Sequence, residues 1–411
     1  MKYVVILGDG MADYPIKELG DKTTLEVAKK DTIDELAKKG ICGMVKTVPD
    51  GMKPGSDVAN LSAMGYDPLK CYTGRSPLEA VSIGINMKDD DVALRCNLVT
   101  LSDEKDIKER TMVDYSAGEI STEEAAELIK AVNEELSTDE LEFFAGISYR
   151  HCLIWHGGKI NLELTPPHDI SDKKVTDYLP KNEMIYSLME KSRDILENHP
   201  VNVSRKAKGL KPANSIWLWG EGTKPAVENF ENKTGLKGAV ISAVDLIKGI
   251  GISADMEVIE VLGATGNIDT NFRGKGEAGL KALIDGNDFV YIHIEAPDEC
   301  GHRGEIDNKV KAIELIDSEI VKVVKEGLEK LGEDFKIMVL PDHPTPIALK
   351  THTSDKVPFI IYDSRKNINN TVQSYTENNA AKSNFEFDKG YELMNYFLNN
   401  NWIYINKTCI I

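Results

Sequence analysis

The chain is short of several features that would decide its class at once. Its six cysteines, at 42, 71, 96, 152, 300 and 409, form no C-x-x-C pair and no spaced framework. They read as reduced, mostly structural thiols rather than a disulfide scaffold. No stretch approaches the ~18 consecutive apolar residues of a membrane span. The apolar run Tyr3 to Leu7 is too short for a signal peptide and is followed at once by Asp9, so a cytoplasmic location is the expectation. Basic patches are also missing, and a formal net charge of −18 argues against nucleic acid and anionic membrane as partners. There is no internal repeat, no low-complexity segment and no G-x-x-x-x-G-K-[ST] loop.

What is present is an ordinary globular composition, 41% hydrophobic and 28% charged. At 411 residues the chain exceeds the roughly 250 to 300 at which one core stops growing, so two domains are expected. Residues 3 to 7 form a continuous apolar run closed by Gly-Asp-Gly, the pattern of a strand buried on both faces in a parallel sheet. Thr24 to Lys39 has helical spacing and stops at Gly40, read as a C-cap. The same grammar returns with strands at 289–294, 336–340 and 357–362 and a helical stretch from Asn308 to Leu331. Between the halves, helices are predicted over 121–136 and 182–198, and strands within 142–155. The expected fold is therefore α/β: a mostly parallel sheet flanked by helices, carrying an inserted smaller α+β domain. Its boundaries are set at 1–94 plus 216–411 for the main domain and 95–215 for the insert, with Arg95 to Leu101 as exit strand and Gly209 to Trp219 as return. The Asn-rich stretch from Lys366 to Asn384 reads as a surface loop.

Six potential ligands flank these apolar runs. Asp9 follows the first, Asp298 and His302 follow 289–294, Asp342 and His343 follow 336–340, and His352 precedes 357–362. In an open α/β sheet the carboxyl ends of the strands share one crevice, so these residues can converge. Three aspartates and three histidines mix hard oxygen with imidazole nitrogen and suffice for two divalent ions. Manganese is the first expectation, with magnesium, cobalt or zinc as alternatives. The Asp298-x-x-x-His302 spacing places both side chains on one face of a helical turn. Two such ions ~3.5 to 4 Å apart can clamp the attacking and departing oxygens of a phosphoryl displacement. Lys53-Pro54-Gly55-Ser56-Asp57 then offers a nucleophile: Ser56 would open a helix whose free N–H groups face incoming anions. Taken singly, Asp9 is as readily a turn residue, Ser56 a helix N-cap and each histidine a core or surface group. Only the joint pattern favours a catalytic site.

That pattern stands in Leu7-Gly8-Asp9-Gly10, Pro54-Gly55-Ser56-Asp57, Tyr72-Thr73-Gly74-Arg75, Ala296-Pro297-Asp298-Glu299-Cys300-Gly301-His302, Pro341-Asp342-His343-Pro344-Thr345-Pro346 and His352-Thr353. These motifs resemble the alkaline phosphatase superfamily, and most closely the archaeal-type cofactor-independent (2,3-bisphosphoglycerate-independent) phosphoglycerate mutases, over nearly the whole chain. The resemblance implies that Asp9, Ser56, Asp342 and His343 hold one metal and Asp298, His302 and His352 the other. It implies interconversion of 3-phosphoglycerate and 2-phosphoglycerate through a phosphoserine on Ser56, with a small phosphorylated metabolite as the partner molecule and the insert as a lid. Arg150 matches a family arginine on that insert. Arg75, Arg95, His168 and Lys275 lie in segments similar to the family's and are the remaining expected substrate contacts. Oligomeric state is left open.

One segment departs from the family pattern. Where these mutases typically carry Asp-Arg-Arg-Ala-Gly-Arg, the chain has Asp114-Tyr115-Ser116-Ala117-Gly118-Glu119. This resembles a bacterial subgroup proposed to phosphorylate homoserine, so a homoserine kinase-like phosphotransferase is the alternative, with a plain metallophosphatase or a metal-storing protein behind it.

Overall fold

A computed structural model of the chain describes residues 1–366, 368 and 372–399. Cys409 and part of the Asn-rich stretch lie outside them. The chain forms two compact units, Met1–Tyr72 with Ala226–Ile411, and Thr73–Pro225.

The first unit is built on an eight-stranded sheet. Its order from one edge is Glu386–Phe387, Ile41–Val45, Val357–Asp363, Phe335–Leu340, Lys2–Gly8, Phe289–Ile294, Gly238–Ile241 and Glu257–Val258. Only Val357–Asp363 runs antiparallel to its neighbours. Strands Phe289–Ile294 and Phe335–Leu340 are buried at every position, as continuous apolar runs in a helix-covered parallel sheet should be. Val4, Ile6, Val290, Ile292, Ile337 and Val339 meet Ile33, Leu36, Ile313, Ile316 and Ile320 in one core. Lys2–Gly8 lies between Phe289–Ile294 and Phe335–Leu340, in parallel with both, Gly8 opposite Ile294 and Leu7 opposite Leu340. The register therefore brings the segments after all three strands to one edge.

The second unit has a five-stranded antiparallel sheet. Asp91–Leu101 is its centre, flanked by Arg150–His156 and Ser215–Thr223, with Leu141–Ile147 beyond and Met112–Asp114 pairing its far end. Helices Thr122–Leu136 and Glu183–Leu196 place Leu128, Ile129, Ile185 and Met189 in a second core with Leu94, Leu98, Leu153 and Trp217. Residues 73–94 were assigned by sequence to the main domain but cluster here. Helix Arg75–Ser82 packs on Asp91–Leu101 and Ser215–Thr223, and that return strand ends at Thr223 rather than Trp219.

Several elements differ from the sequence reading for identifiable reasons. The helix expected from Thr24 to Lys39 is two, Thr24–Val27 and Asp31–Lys39. A Thr23/Glu26 capping box starts the first, and the Asp317 carboxylate accepts from the Thr32 and Ile33 amides at the start of the second. Gly40 is extended rather than left-handed; a Cβ there would lie 2.4 Å from the Ile361 carbonyl oxygen. The long helical stretch is interrupted by a π-turn at Ile316–Val321. The described part of the Asn-rich region is not simply loop: it holds helix Glu377–Ala381 and a buried Tyr375.

Helix Phe272–Ile284 approaches the π-turn closely at Gly276, where a Cβ would lie 2.7 Å from the Glu319 carbonyl oxygen. Gly276→Ala should therefore lower unfolding free energy by about 1 to 3 kcal/mol despite alanine's better helix propensity. Urea denaturation checks this, and an unchanged or raised midpoint would mean that the helix does not pack so closely.

Candidate active site

The site is assembled at the carboxyl edge of the three central strands in the first unit. Gly10, directly after Asp9, has φ +61°, and a Cβ on it would come 2.6 Å from Asp298 Oδ1 and Thr345 Oγ1. Glycine there lets the Asp9 turn pass against the neighbouring ligand-bearing segments. Gly55 is the N-cap of helix Ser56–Ala63, so Ser56 occupies the first turn, where backbone N–H groups have no partner within the helix.

Ser56 Oγ lies 3.3 Å from Asp9 Oδ2 and 3.2 Å from His343 Nε2. His343 Nε2 is 3.3 Å from Asp342 Oδ2 and 3.7 Å from Asp9 Oδ1. Nearby, Asp298 Oδ2 is 3.2 Å from His302 Nε2, and Asp298 Oδ1 is 3.4 Å from His352 Nε2. The rings of His343 and His352 are 4.0 Å apart, linking the two groups. Ser56 and the six residues read as ligands thus come together in one place. Donor atoms of Asp9, Asp342 and His343 converge closely enough for one ion, and so do those of Asp298, His343 and His352.

Three observations fit this constellation to cations. Asp9 Oδ1 is buried without a hydrogen-bond partner. The Nε2 atoms of His302 and His352 point at each other 2.9 Å apart, an arrangement two lone pairs would not adopt without a shared proton or an electrophile. Finally, burial, followed by the charges of Asp342, Asp298 and Glu295, pushes the Asp9 carboxyl well above the usual range; so many carboxylates in one dry place call for positive charge. Asp298 is buried as well, yet its bonds from His302 and His352 hold it well below that range. The same bond to Asp298 raises His302 to about 9. His293, beside Asp9, cannot serve Asp9 in this way, because burial lowers it to about 3.

Four supporting residues escaped the sequence reading. Asn60 donates through Nδ2 to Asp342 Oδ2 at 2.9 Å and to the Ser56 carbonyl at 2.8 Å, while Tyr291 Oη donates to its Oδ1 at 2.7 Å. It stands one turn after Ser56 on the same helix face, a signal the spacing carried. His293 Nε2 lies 3.0 Å from Asp9 Oδ2, with Nδ1 3.2 Å from Ser242 Oγ; an imidazole in an otherwise apolar buried strand was the available clue. Thr345 Oγ1 donates to Asp298 Oδ1 and sits 3.3 Å from His343 Nδ1. These bonds fix the direction of the groups that face the crevice.

The expected substrate contacts divide between the units. Arg75, Arg95, Arg150 and His168 belong to the second. Both oxygens of Glu79 are engaged, by Arg75 Nε at 2.7 Å and Arg95 Nε at 2.9 Å. The Arg95 guanidinium lies 4.3 Å over the Trp219 ring, His168 stands edge-on to Trp219 and Tyr115, and Arg150 is 6.0 Å over Tyr149. Burial opposes the Glu79 charge, but Arg95, Arg75 and Arg150 together hold its carboxyl below the usual range. Lys275 is in the first unit and is fully buried, not a solvated charge; its Nζ donates to the His293 carbonyl at 3.3 Å, and burial lowers it to about 8.

A family model described as 2,3-bisphosphoglycerate-independent phosphoglycerate mutase matches residues 37–202. A protein of that name from Methanosarcina barkeri is 49% identical over 96% of this chain and 98% of its own. Among solved structures, the PH0037 protein of Pyrococcus horikoshii superposes with a TM-score of 0.80 at 28% identity over 97% of both chains. The cofactor-independent phosphoglycerate mutase of Thermoplasma acidophilum gives 0.66 at 27% identity, over 97% of this chain and 99% of that one. The fold and these matches define a metabolic α/β enzyme of the isomerase class. The chain belongs to the 2,3-bisphosphoglycerate-independent phosphoglycerate mutase family.

In protein stripped of divalent ions, the raised His302 makes a signed prediction. Its bond to Asp298 contributes stability that is complete below the ordinary histidine value of 6.5 and is lost as pH rises through about 9. Thermal midpoints of chelator-treated protein should fall across that window, and His302→Asn should remove the fall. An identical pH profile in the variant would show that His302 is not paired with Asp298.

Proposed function

We propose that this chain interconverts 3-phosphoglycerate and 2-phosphoglycerate without 2,3-bisphosphoglycerate, through a phosphoserine at Ser56. The observation that carries the reading is the placement of Ser56 Oγ at the first turn of its helix, between Asp9 Oδ2 at 3.3 Å and His343 Nε2 at 3.2 Å. One divalent ion would be held by Asp9, Ser56, Asp342 and His343, and a second by Asp298, His302 and His352. When bound, such ions supply Lewis-acid charge for the phosphoryl oxygens; manganese suits the mixed oxygen and nitrogen donors.

The steps assigned to the chain follow. Ser56 Oγ gives up its proton and bonds to phosphorus as the bond from phosphorus to the 3-oxygen of the substrate breaks, and the departing 3-oxygen takes up a proton, leaving glycerate and phosphoserine. The glycerate then presents its 2-hydroxyl, whose oxygen attacks the phosphoserine and releases the Ser56 hydroxyl. The Ser56 and Asp57 amides at the start of helix Ser56–Ala63 are assigned to the anion during both transfers, the Val58 amide being taken by Asp57 Oδ1. Asn60 holds the Ser56 carbonyl and Asp342 in fixed relation, so the nucleophile returns to one position. The guanidiniums of Arg75, Arg95 and Arg150, with His168, suit the carboxylate and phosphate of such a substrate by forked hydrogen bonding. Lys275 is assigned to the main site, where its buried ammonium bonds the His293 carbonyl and faces the charge of Glu295.

The alternative, phosphoryl transfer to homoserine from a separate donor, is favoured by Tyr115, which contributes a ring beside Tyr149 and His168 where the family typically supplies arginine. Phosphorus NMR of the purified protein with Mn²⁺ and 3-phosphoglycerate, and neither bisphosphoglycerate nor nucleotide, separates the two. A growing 2-phosphoglycerate signal is expected, and Ser56→Ala should lower its rate by at least about 10³-fold. No signal until homoserine and a nucleotide are added would replace the mutase reading with the kinase.

A further inference from the structure

A fully buried ion pair stands behind the ligand-bearing loops and takes no part in the chemistry above. Lys309 and Asp13 have side chains with no exposed surface, and their Nζ and Oδ2 atoms are 2.7 Å apart. The ammonium also donates to the carbonyl oxygen of Ala12 at 3.3 Å and to that of Thr345 at 2.8 Å. Asp13 spends its other oxygen, Oδ1, on the Ile347 amide at 3.1 Å and the Tyr14 amide at 2.8 Å. Glu377 Oε1 accepts from the Asp13 amide at 3.1 Å, fixing Asp13 from behind.

The carbonyls that Lys309 selects are informative. Ala12 lies three residues after Asp9, and Thr345 lies two after His343 and bonds to Asp298. Lys309 itself is in helix Ile306–Leu315, the next helix after Ala296–Arg303, which carries Asp298 and His302. One ammonium therefore joins the three segments that follow the three central strands. The segments after Lys2–Gly8 and Phe335–Leu340 are irregular backbone, also linked by a Thr345 amide to Ala12 carbonyl bond at 3.3 Å, short bridges from Met11 and Ala12 to Pro344, the Gly10 amide to Asp342 Oδ1 at 3.1 Å and the Ile347 amide to Asp13, while Thr345 Oγ1 reaches Asp298 on the third, helical segment. A buried carbonyl requires a donor, and an isolated buried lysine is costly without a paired charge. Here one paired ammonium supplies that donor to both loops at once, and so fixes them relative to each other.

We propose that Lys309, held by Asp13, is a positioning residue that sets the spacing between the group Asp9, Asp342 and His343 and the group Asp298, His302 and His352, so that two divalent ions bind as a coupled pair. The inference rests on the two-metal reading above. It makes ion affinity, and the interaction between the two ions, depend on a pair that touches neither ion nor substrate.

The test uses the full chain stripped by chelator and titrated with Mn²⁺, followed by calorimetry and by the electron paramagnetic resonance signature of a spin-coupled pair. Asp13→Asn preserves shape and removes charge. The double variant Lys309→Met with Asp13→Leu replaces the pair by apolar side chains, a change that often leaves stability intact. Both should bind Mn²⁺ about 10- to 100-fold more weakly, the range for outer supports of a metal site. Both should lose the spin-coupled signal before bound metal, and excess Mn²⁺ should restore turnover. Folding is checked by near-ultraviolet circular dichroism, and whichever variant folds decides; the double variant, which leaves no unpaired buried charge, is the safer of the two. Wild-type affinity and an unaltered coupled signal in a folded variant would overturn the positioning role and leave the metal reading standing. Failure of the wild type to bind a manganese pair would overturn both.

Discussion

Carboxylates buried against one another at the ends of parallel strands are the constraint on which the rest of this structure turns. Asp9, Asp298 and Asp342 are all nearly inaccessible, and parallel register leaves no means of separating them, because Lys2–Gly8 lies between the strands that lead to the other two. In a dry crevice such charges repel strongly. Relief comes from hydrogen-bonded imidazole at Asp298 and is incomplete at Asp9, whose Oδ1 has no hydrogen-bond partner. Divalent cations are the proposed remedy, and Ser56, the proposed nucleophile, stands where their charge would act.

Around that constraint the chain sets a shell of groups that carry no net charge at the crevice itself. Asn60, Thr345, Tyr291 and the neutral His293 each satisfy one carboxylate or one another. A neutral donor fixes the direction of a carboxylate without competing for its charge, so it orients a ligand while leaving it available. The second unit solves its own crowding in the opposite sense, with Glu79 between Arg75 and Arg95, while Trp219 lies against the Arg95 guanidinium and Tyr149 against that of Arg150. Guanidiniums pre-set in this way lose little freedom when they meet an anion.

How much of this could be read from the sequence follows from the range of the interactions. The central strands, the Asp9 turn, the Asp298 to His302 helical turn and the Ser56 helix start are local patterns of apolar runs and spacings, and all appear where the residues suggested. What escaped depended on distant partners. The break between Val27 and Asp31 is capped by Asp317, almost three hundred positions away. Residues 73–94 look like a continuation of the main domain until their helix is seen on strands that close only at Thr223. The resemblance makes Lys275 an expected substrate contact, and its burial, with Nζ donating to the His293 carbonyl, is a fact of packing. Tyr115 altered a motif visibly, whereas its place among Tyr149 and His168 required three segments to meet.

The central claim is that Ser56 carries the phosphoryl group between two oxygens of one substrate. Incubating the Mn²⁺-loaded protein with 3-phosphoglycerate, quenching in acid and mapping the peptides by mass spectrometry tests it most directly. The account predicts one added phosphoryl group on Ser56, absent without substrate. Rapid turnover with no phosphate on Ser56 at any quench time, or phosphate on a different residue, would contradict it.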